Sequence, residues 1–161
     1  MEIRPLSHDD MDRLSDFIID AYESFPQAMW FGSKPSRESL ERIFYNKMRG
    51  IAERMVSDFV ALQGGLVLGE CEIVKTGWDS GIVGMVVRKE FLRTRIGTKL
   101  LDAASSYAEE IGMRKLRVEV SSDNEGAIKF FIVNGFAPIR KMKMDKEGIE
   151  RTVVVLEKKV R

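Results

Sequence analysis

The sequence contains one cysteine, Cys71, one histidine, His8, and only four prolines. A lone cysteine excludes an intramolecular disulfide and fits a reducing compartment, so a cytoplasmic protein is expected. One cysteine and one histidine are too few for a zinc centre, and no metal is expected. No apolar run reaches the ~20 residues of a membrane-spanning helix, and the opening MEIRPLSHDD lacks an apolar signal core. Repeats and low-complexity tracts are also missing, which sets aside solenoid and disordered classes. The net charge of +1 offers no general basic excess, so a nucleic-acid partner is not expected.

What is present fits one globular domain over residues 1–161, with 44% hydrophobic and 32% charged residues. The charge is unevenly placed. Residues 1–80 carry nine basic and fourteen acidic side chains, net −5, and residues 81–161 carry seventeen and eleven, net +6. An anionic ligand on one half and a cationic one on the other would suit that division.

The chain is organised around Gly81 to Leu101, GIVGMVVRKEFLRTRIGTKLL. Ile82, Val83, Met85, Val86 and Val87 make a buried strand. Arg88, Lys89, Arg93 and Arg95 then bring four cations within eight residues. From Ile96 the spacing becomes helical, with Leu100, Ala104, Ala108 and Ile111 following at three- to four-residue intervals. The unpaired amides of a helix N-terminus bind anions, and Arg93, Arg95 and Lys99 surround this one. The stretch reads either as a phosphate cradle or as a solvated basic loop between two core elements. Gly97 favours the first, because a missing side chain lets a ligand approach the backbone. A P-loop is excluded, since Gly97-Thr98-Lys99 lacks the G-x-x-x-x-G-K-[ST] order.

Elsewhere the pattern alternates between strands and helices. Glu2 to Leu6 reads as a strand, and Ser7 or Asp9 can cap a helix burying Met11, Leu14, Phe17, Ile18 and Ala21. That helix ends near Ser24–Pro26. The connector FPQAMWFG is rich in large apolar groups, and Phe25, Trp30 and Phe31 are candidates for a substrate-pocket wall or for a loop folded onto the core. Ser36 opens a second helix to about Met55, with Leu40, Ile43, Phe44, Lys47, Met48 and Ile51 at helical spacing. Asp58–Gln63 and Leu66–Val74 form a hairpin around Gly64-Gly65. Thr76–Ser80 is a turn. Leu116, Val118 and Val120 mark a further strand, Ala127 to Asn134 a short helix, and 139–144 with 152–156 a closing hairpin. The order β-α-α-β-β-β-α-β-α-β-β implies an α/β fold, a mixed sheet with helices on both faces.

The basic loop together with N124-E-G-A-I-K-F-F-I-V-N-G-F136 resembles the GCN5-related N-acetyltransferase (GNAT) superfamily along nearly the whole chain. The resemblance implies acetyl-CoA as cofactor and transfer of its acetyl group to an amine by direct attack in a ternary complex. It implies that the strand carrying Met85, Val86 and Val87 splays from Leu116–Val120, and that its amides receive the pantetheine arm and polarise the thioester carbonyl. The family's pyrophosphate pattern [QR]-x-x-G-x-[GA] falls on Leu92-Arg93-Thr94-Arg95-Ile96-Gly97, with Thr98 next. Only the last glycine matches; Leu92 replaces the polar residue, and Arg95, if its φ stays negative, still offers an amide where the first glycine stood. Asn124, Ala127, Phe130 and Phe131 complete the cofactor set.

Two chemical groups depart from the family pattern. Phe131 stands where many relatives carry a tyrosine that protonates the leaving thiolate. The carboxylate that some relatives place early on the central strand is absent from Ile82–Val87. Asp79 is the tentative base, with Glu72 and Glu119 as further candidates, each also readable as a plain structural carboxylate. Cys71 has no histidine near it in sequence and reads as a buried hairpin residue. The acceptor implied is a polyamine, a protein N-terminus or another small-molecule or peptide amine, and a homodimer is compatible with the sequence. The alternative is a non-catalytic CoA-binding or sensing module of the same fold.

Overall fold

The computed structural model describes residues 1–25, 34–146 and 148–160, the side chain of Lys146 excepted. In chain order the elements are β1 (Glu2–Pro5), α1 (Met11–Ser24), α2 (Arg37–Ala52), β2 (Val56–Gln63), β3 (Leu66–Lys75), β4 (Ser80–Val87), α3 (Ile96–Glu110), β5 (Lys115–Ser121), α4 (Glu125–Val133), β6 (Ala137–Lys146) and β7 (Ile149–Lys159). The order expected from the sequence is the order found. Short 3₁₀ turns at His8–Asp10 and Lys89–Phe91 precede α1 and α3.

The seven strands form one sheet in the order β1-β2-β3-β4-β5-β7-β6. Among the described residues only β4 and β5 pair in parallel, as the α3 crossover between them requires. Alternation along the strands sends side chains to two separate cores. Val60, Leu62 and Val67 pack against Leu14 and Phe17 of α1 and Leu40 and Phe44 of α2. Ala61, Leu68, Cys71 and Ile73 face the other way, onto Leu100, Leu101, Ala104 and Ala108 of α3 and Phe131 of α4. Leu100, Ala104 and Ala108 have no exposed surface, so the α3 stripe is fully spent on packing. Burying a leucine of this kind stabilises the fold by roughly 1.5–3 kcal/mol.

The helix ends follow local chemistry. Ser36 caps α2 by accepting from Ser39 N–H at 3.1 Å. Before α1, Ser7 and Asp10 form a capping box. Asp10 is buried, yet both its oxygens are used: Arg4 donates at 2.7 and 2.8 Å, Ser7 N–H at 2.8 Å and Arg13 at 3.2 Å. Burial opposes the charge on Asp10, but these donors outweigh it and hold its pKa below the usual aspartate value. Gly112 and Gly135 follow α3 and α4 with φ of 100° and 95°, the left-handed conformation of a helix stop.

Candidate functional site

The parallel ladder between β4 and β5 is short. It runs from Ser80↔Lys115 to Val83↔Val118 and stops. Beyond it β4 continues through Gly84, Met85, Val86 and Val87, paired only with β3, and β5 continues through Glu119, Val120 and Ser121, paired only with β7. The two strands therefore part, leaving each with a ladder-facing edge that has no strand partner. Met85 and Val86 are half-buried at this opening and Val87 is buried.

The loop after β4 leads to one end of the same opening. Leu92, Arg93, Thr94 and Arg95 are exposed, Ile96 is buried, and Gly97 and Thr98 are half-buried in the first turn of α3. Arg93 and Arg95 have φ of 64° and 71°, while Thr94 between them does not. Alternating handedness of this kind turns successive amides toward one point, as in anion-binding nests. The condition of a negative φ at Arg95 is not met. This residue occupies the left-handed conformation that a glycine adopts freely and that a residue with a Cβ rarely takes. Thr94 Oγ1 donates to the Phe91 carbonyl and closes the loop.

Two further residues of this stretch have structural partners. Arg88 is not one of the loop's free cations: its Nε donates to Val67 O at 2.6 Å, its guanidinium pairs with Asp20 at 2.9 Å, and it lies over the Phe17 ring. It pins α1 to the sheet. Gly97 is also a packing glycine, because a Cβ there would stand 3.2 Å from the Phe130 ring and 3.6 Å from Met85 Cε. Met85, Gly97 and Phe130 thus meet where β4, α3 and α4 converge.

Asn124 is exposed at the N-cap of α4 and accepts from Ala127 N–H at 3.2 Å. Its carboxamide still has two donors to offer. Phe130 is half-buried, as is Ala127. Phe131 is 5% exposed and packs edge-on between Phe130 and Phe136, each centroid 5.2 Å away. It belongs to the α3-side core, next to Phe130.

The carboxylates are distributed differently from expectation. Asp79 precedes Ser80, at the closed end of the β4–β5 ladder, where its carbonyl accepts from Arg114 and Lys115 N–H. Five residues of strand put it roughly 16 Å from Gly84, so it does not serve the opening. Glu119 stands on β5 beyond the ladder. Glu72 lies beside Gly84, in a cluster the sequence reading missed: Lys47 Nζ from α2 meets Asp58 of β2 at 3.3 Å, and Glu70 and Glu72 of β3 at 3.1 and 2.6 Å. Burial opposes the Lys47 charge, but the three carboxylates overcome it and raise its pKa well above the lysine value. The available signal was a lysine inside an apolar helical stripe, facing a hairpin with acids at alternate positions.

Cys71 is fully buried on the opposite face. Burial, then the charges of Asp58, Glu70 and Glu72, push its thiol well up, so it is no nucleophile. Phe25 is half-buried at the C-cap of α1. Trp30 and Phe31 lie outside the described residues. Among the described residues no group of His, Cys, Asp and Glu is arranged to hold a metal, and no helix is long and apolar enough to cross a membrane.

The model of the Acetyltransferase (GNAT) family matches residues 16–136. No curated protein matches the chain by sequence. Among solved structures, ribosomal-protein-alanine N-acetyltransferase from Brucella melitensis superposes with a TM-score of 0.83 at 20% identity, covering 99% of this chain and 100% of the other. The Salmonella typhimurium protein yncA, determined with its cofactor acetyl-CoA, gives 0.80 at 17%, covering 99% and 94%. The PaiA N-acetyltransferase of Thermoplasma acidophilum in complex with coenzyme A gives 0.75 at 20%, covering 98% of both chains.

Proposed function

Because the chain belongs to the acetyltransferase (GNAT) family, whose cofactor is acetyl-CoA, we propose that it acetylates a primary amine by direct attack in a ternary complex. The observation that carries this reading is the end of the β4–β5 ladder at Val83↔Val118. It leaves a strand edge at Gly84–Val87 against which an extended amide-bearing arm can pair as an added strand.

The residues present fit a CoA-type ligand. Met85, Val86 and Val87 would hold the pantetheine through their backbone. The amides of residues 93–97, with the exposed cations of Arg93, Arg95 and Lys99, would hold the pyrophosphate. Asn124 would donate its carboxamide N–H groups from across the opening while its oxygen keeps the α4 cap. Acetyl-CoA supplies an acetyl group activated as a thioester. The chain's contribution is orientation and charge: amides on the unpaired edge of β4, a strand held in place by its pairing with β3, would stabilise a developing oxyanion without reorganisation. Phe131 offers no proton, and a thiol with a pKa around 8.5 is a tolerable leaving group at neutral pH without one.

A polyamine, a protein N-terminus or a small amine is the acceptor class. Release of free thiol from acetyl-CoA, measured over a panel of such amines, tests the reading. Amine-dependent release is the expected result. Binding of acetyl-CoA with no release for any amine would make the chain a binding module, and no shift of Tm at millimolar acetyl-CoA would sink the reading altogether.

A further inference from the structure

Gly81 turns toward the α3-side core, where an added Cβ would meet Met113, Ile73 and Leu116. Its neighbours Ser80, Ile82 and Gly84 therefore look out of the opposite face, on which α1 packs over β3 and α2 over β2. Register fixes what stands beside them. Val74 of β3 and Arg117 of β5 flank Ile82, Lys115 flanks Ser80, and Gly84 is the first residue past the β4–β5 ladder. One strand further on, β7 sets Glu157 beside Arg117 and Lys159 beside Lys115. Thr76, Ser80, Gly81, Lys115, Arg117 and Glu157 line a cavity of about 180 Å³.

The cavity has an excess of positive charge. Arg117 donates from Nη2 to Glu157 at 3.0 Å, which leaves its Nε and Nη1 hydrogens to offer. Lys115 is half-buried, and among the described residues it has neither an ion pair nor a side-chain hydrogen bond. Lys159 stands exposed beside it. The other acid nearby, Asp79, accepts from Ser80 Oγ at 3.3 Å in the turn before β4. A half-buried ammonium without a counter-charge favours an anion supplied from outside. Between the cavity and Gly84 the floor is apolar, with Ile82 half-buried and Val74 36% exposed. Gly84 itself is exposed, and a Cβ there would meet nothing within 4 Å. Along β4, Ile82 lies roughly 7 Å and Ser80 roughly 13 Å from Gly84. One groove thus runs from an open floor where β4 leaves the ladder to a cationic end.

We propose that this cavity selects the acceptor: the amine stands over Gly84, and Lys115 and Arg117 hold a carboxylate of the same molecule about 7–13 Å away. The inference rests on the acetyl-transfer reading above and narrows its acceptor class. Two extended residues span about 7 Å, so a peptide N-terminus with a carboxylate on its third residue fits the groove. The carboxylate belongs either to an acidic side chain or to a free chain end; the chemistry that recognises it is the same. A polyamine fits poorly, because its second cation would meet Lys115 and Arg117. The apolar floor of Ile82 and Val74 suits a small side chain at the second residue.

Thiol release from acetyl-CoA is measured with alanyl-alanyl-glutamate amide, alanyl-alanyl-alanine with its carboxyl group free, alanyl-alanyl-lysine amide and spermidine. The expected result is a kcat/KM about tenfold or more higher for the first two than for the last two, carried by KM and weakened by salt. A lead of the first peptide over the second names an acidic side chain as the source, and the reverse names a chain end. Lys115→Glu should reverse the order of the glutamate and lysine peptides. Arg117→Gln is the milder second variant and should raise KM for the glutamate peptide about tenfold, with melting curves checking that each variant is folded. Equal rates on the glutamate and lysine peptides, or a preference untouched by both variants, would overturn the proposal while leaving acetyl transfer intact. No thiol release with any amine fails the parent reading instead. The cavity is then judged by titrating the N-acetylated glutamate peptide into ¹⁵N-labelled protein. Shifts at Ser80, Ile82, Lys115 and Arg117 that disappear in Lys115→Glu sustain the anion site, and no shift there at millimolar peptide removes it.

Discussion

Gly97 and Phe130 touch across the junction of α3 and α4, with the place of the missing Cβ 3.2 Å from the Phe130 ring. The glycine therefore has two duties, close helix packing and an unobstructed backbone at the loop of alternating φ. Gly97→Ala should force Phe130 to yield by a few tenths of an ångström and cost about 1–2 kcal/mol of stability, within the range of overpacking. Gly97→Asp adds an anion at the proposed phosphate site and should weaken acetyl-CoA binding at least tenfold beyond the alanine variant. Calorimetric titration alongside melting curves separates the two duties. Equal acetyl-CoA affinity in both variants would leave Gly97 with packing alone.

Arg95 and Arg54 form a natural pair of controls, since both hold a left-handed backbone, at φ 71° and 60°. Arg54 follows the C-cap of α2, with Arg54 N–H bonded to Ile51 O and Met55 N–H to Gly50 O, the pattern that usually ends in glycine. The left-handed conformation costs roughly 1–2 kcal/mol for a residue with a Cβ. Glycine gives some of that back through its freer unfolded chain. Arg54→Gly and Arg95→Gly should each raise stability by up to about 1 kcal/mol. Only Arg95→Gly should weaken acetyl-CoA binding and flatten its salt dependence. Equal binding effects would detach the loop from the phosphate.

The outline of the fold was legible because it rests on local signals: the Gly64-Gly65 hairpin, the Asn124 cap and the glycine stops at 112 and 135 all occur where the chain pattern places them. The opening between β4 and β5 was legible only through family resemblance, since no local signal says where a ladder ends. Long charged side chains were the hardest to place. Arg88 sits in a run of cations yet folds back onto Asp20 and Phe17, and Lys47 sits in an apolar stripe yet is the hub of three carboxylates. Their partners stand 11 to 71 residues away in sequence, and only the packing of α1 and α2 on the sheet brings them together.

Lys47 gives a prediction about pH. Its folded pKa lies above the ordinary lysine value. The stability it contributes is therefore fully present below that value and lost as pH rises through the folded pKa. Lys47→Met removes the cation and leaves the acids facing one another. At pH 7–8 the loss should be about 3–5 kcal/mol, the range for breaking a buried ion pair. Toward pH 4–5 the deficit should shrink, as the Asp58 carboxyl, which burial and then the Glu70 charge push well up, takes up its proton. Denaturant titrations of both proteins at the two pH values check this, and a constant deficit would show that Lys47 contributes packing rather than charge.

Phe131 lies where a tyrosine hydroxyl would be sought, and its surroundings decide what Phe131→Tyr does. The ring has 5% of its surface exposed and is gripped edge-on by Phe130 and Phe136 within the α3-side core. A hydroxyl added there enters an apolar cluster, and an unsatisfied buried hydroxyl costs about 1–3 kcal/mol. A gain in kcat would instead require that the oxygen reach the opening and act as an acid, worth ~10²–10⁴ in rate where well aligned. The buried packing favours the first outcome. Phe131→Tyr should lower Tm by several degrees, leave acetyl-CoA affinity unchanged and give no rise in kcat. Thiol-release kinetics and a melting curve on the same preparation separate the two, since a raised kcat at unchanged Tm would place the ring edge in the opening and restore position 131 to the chemistry.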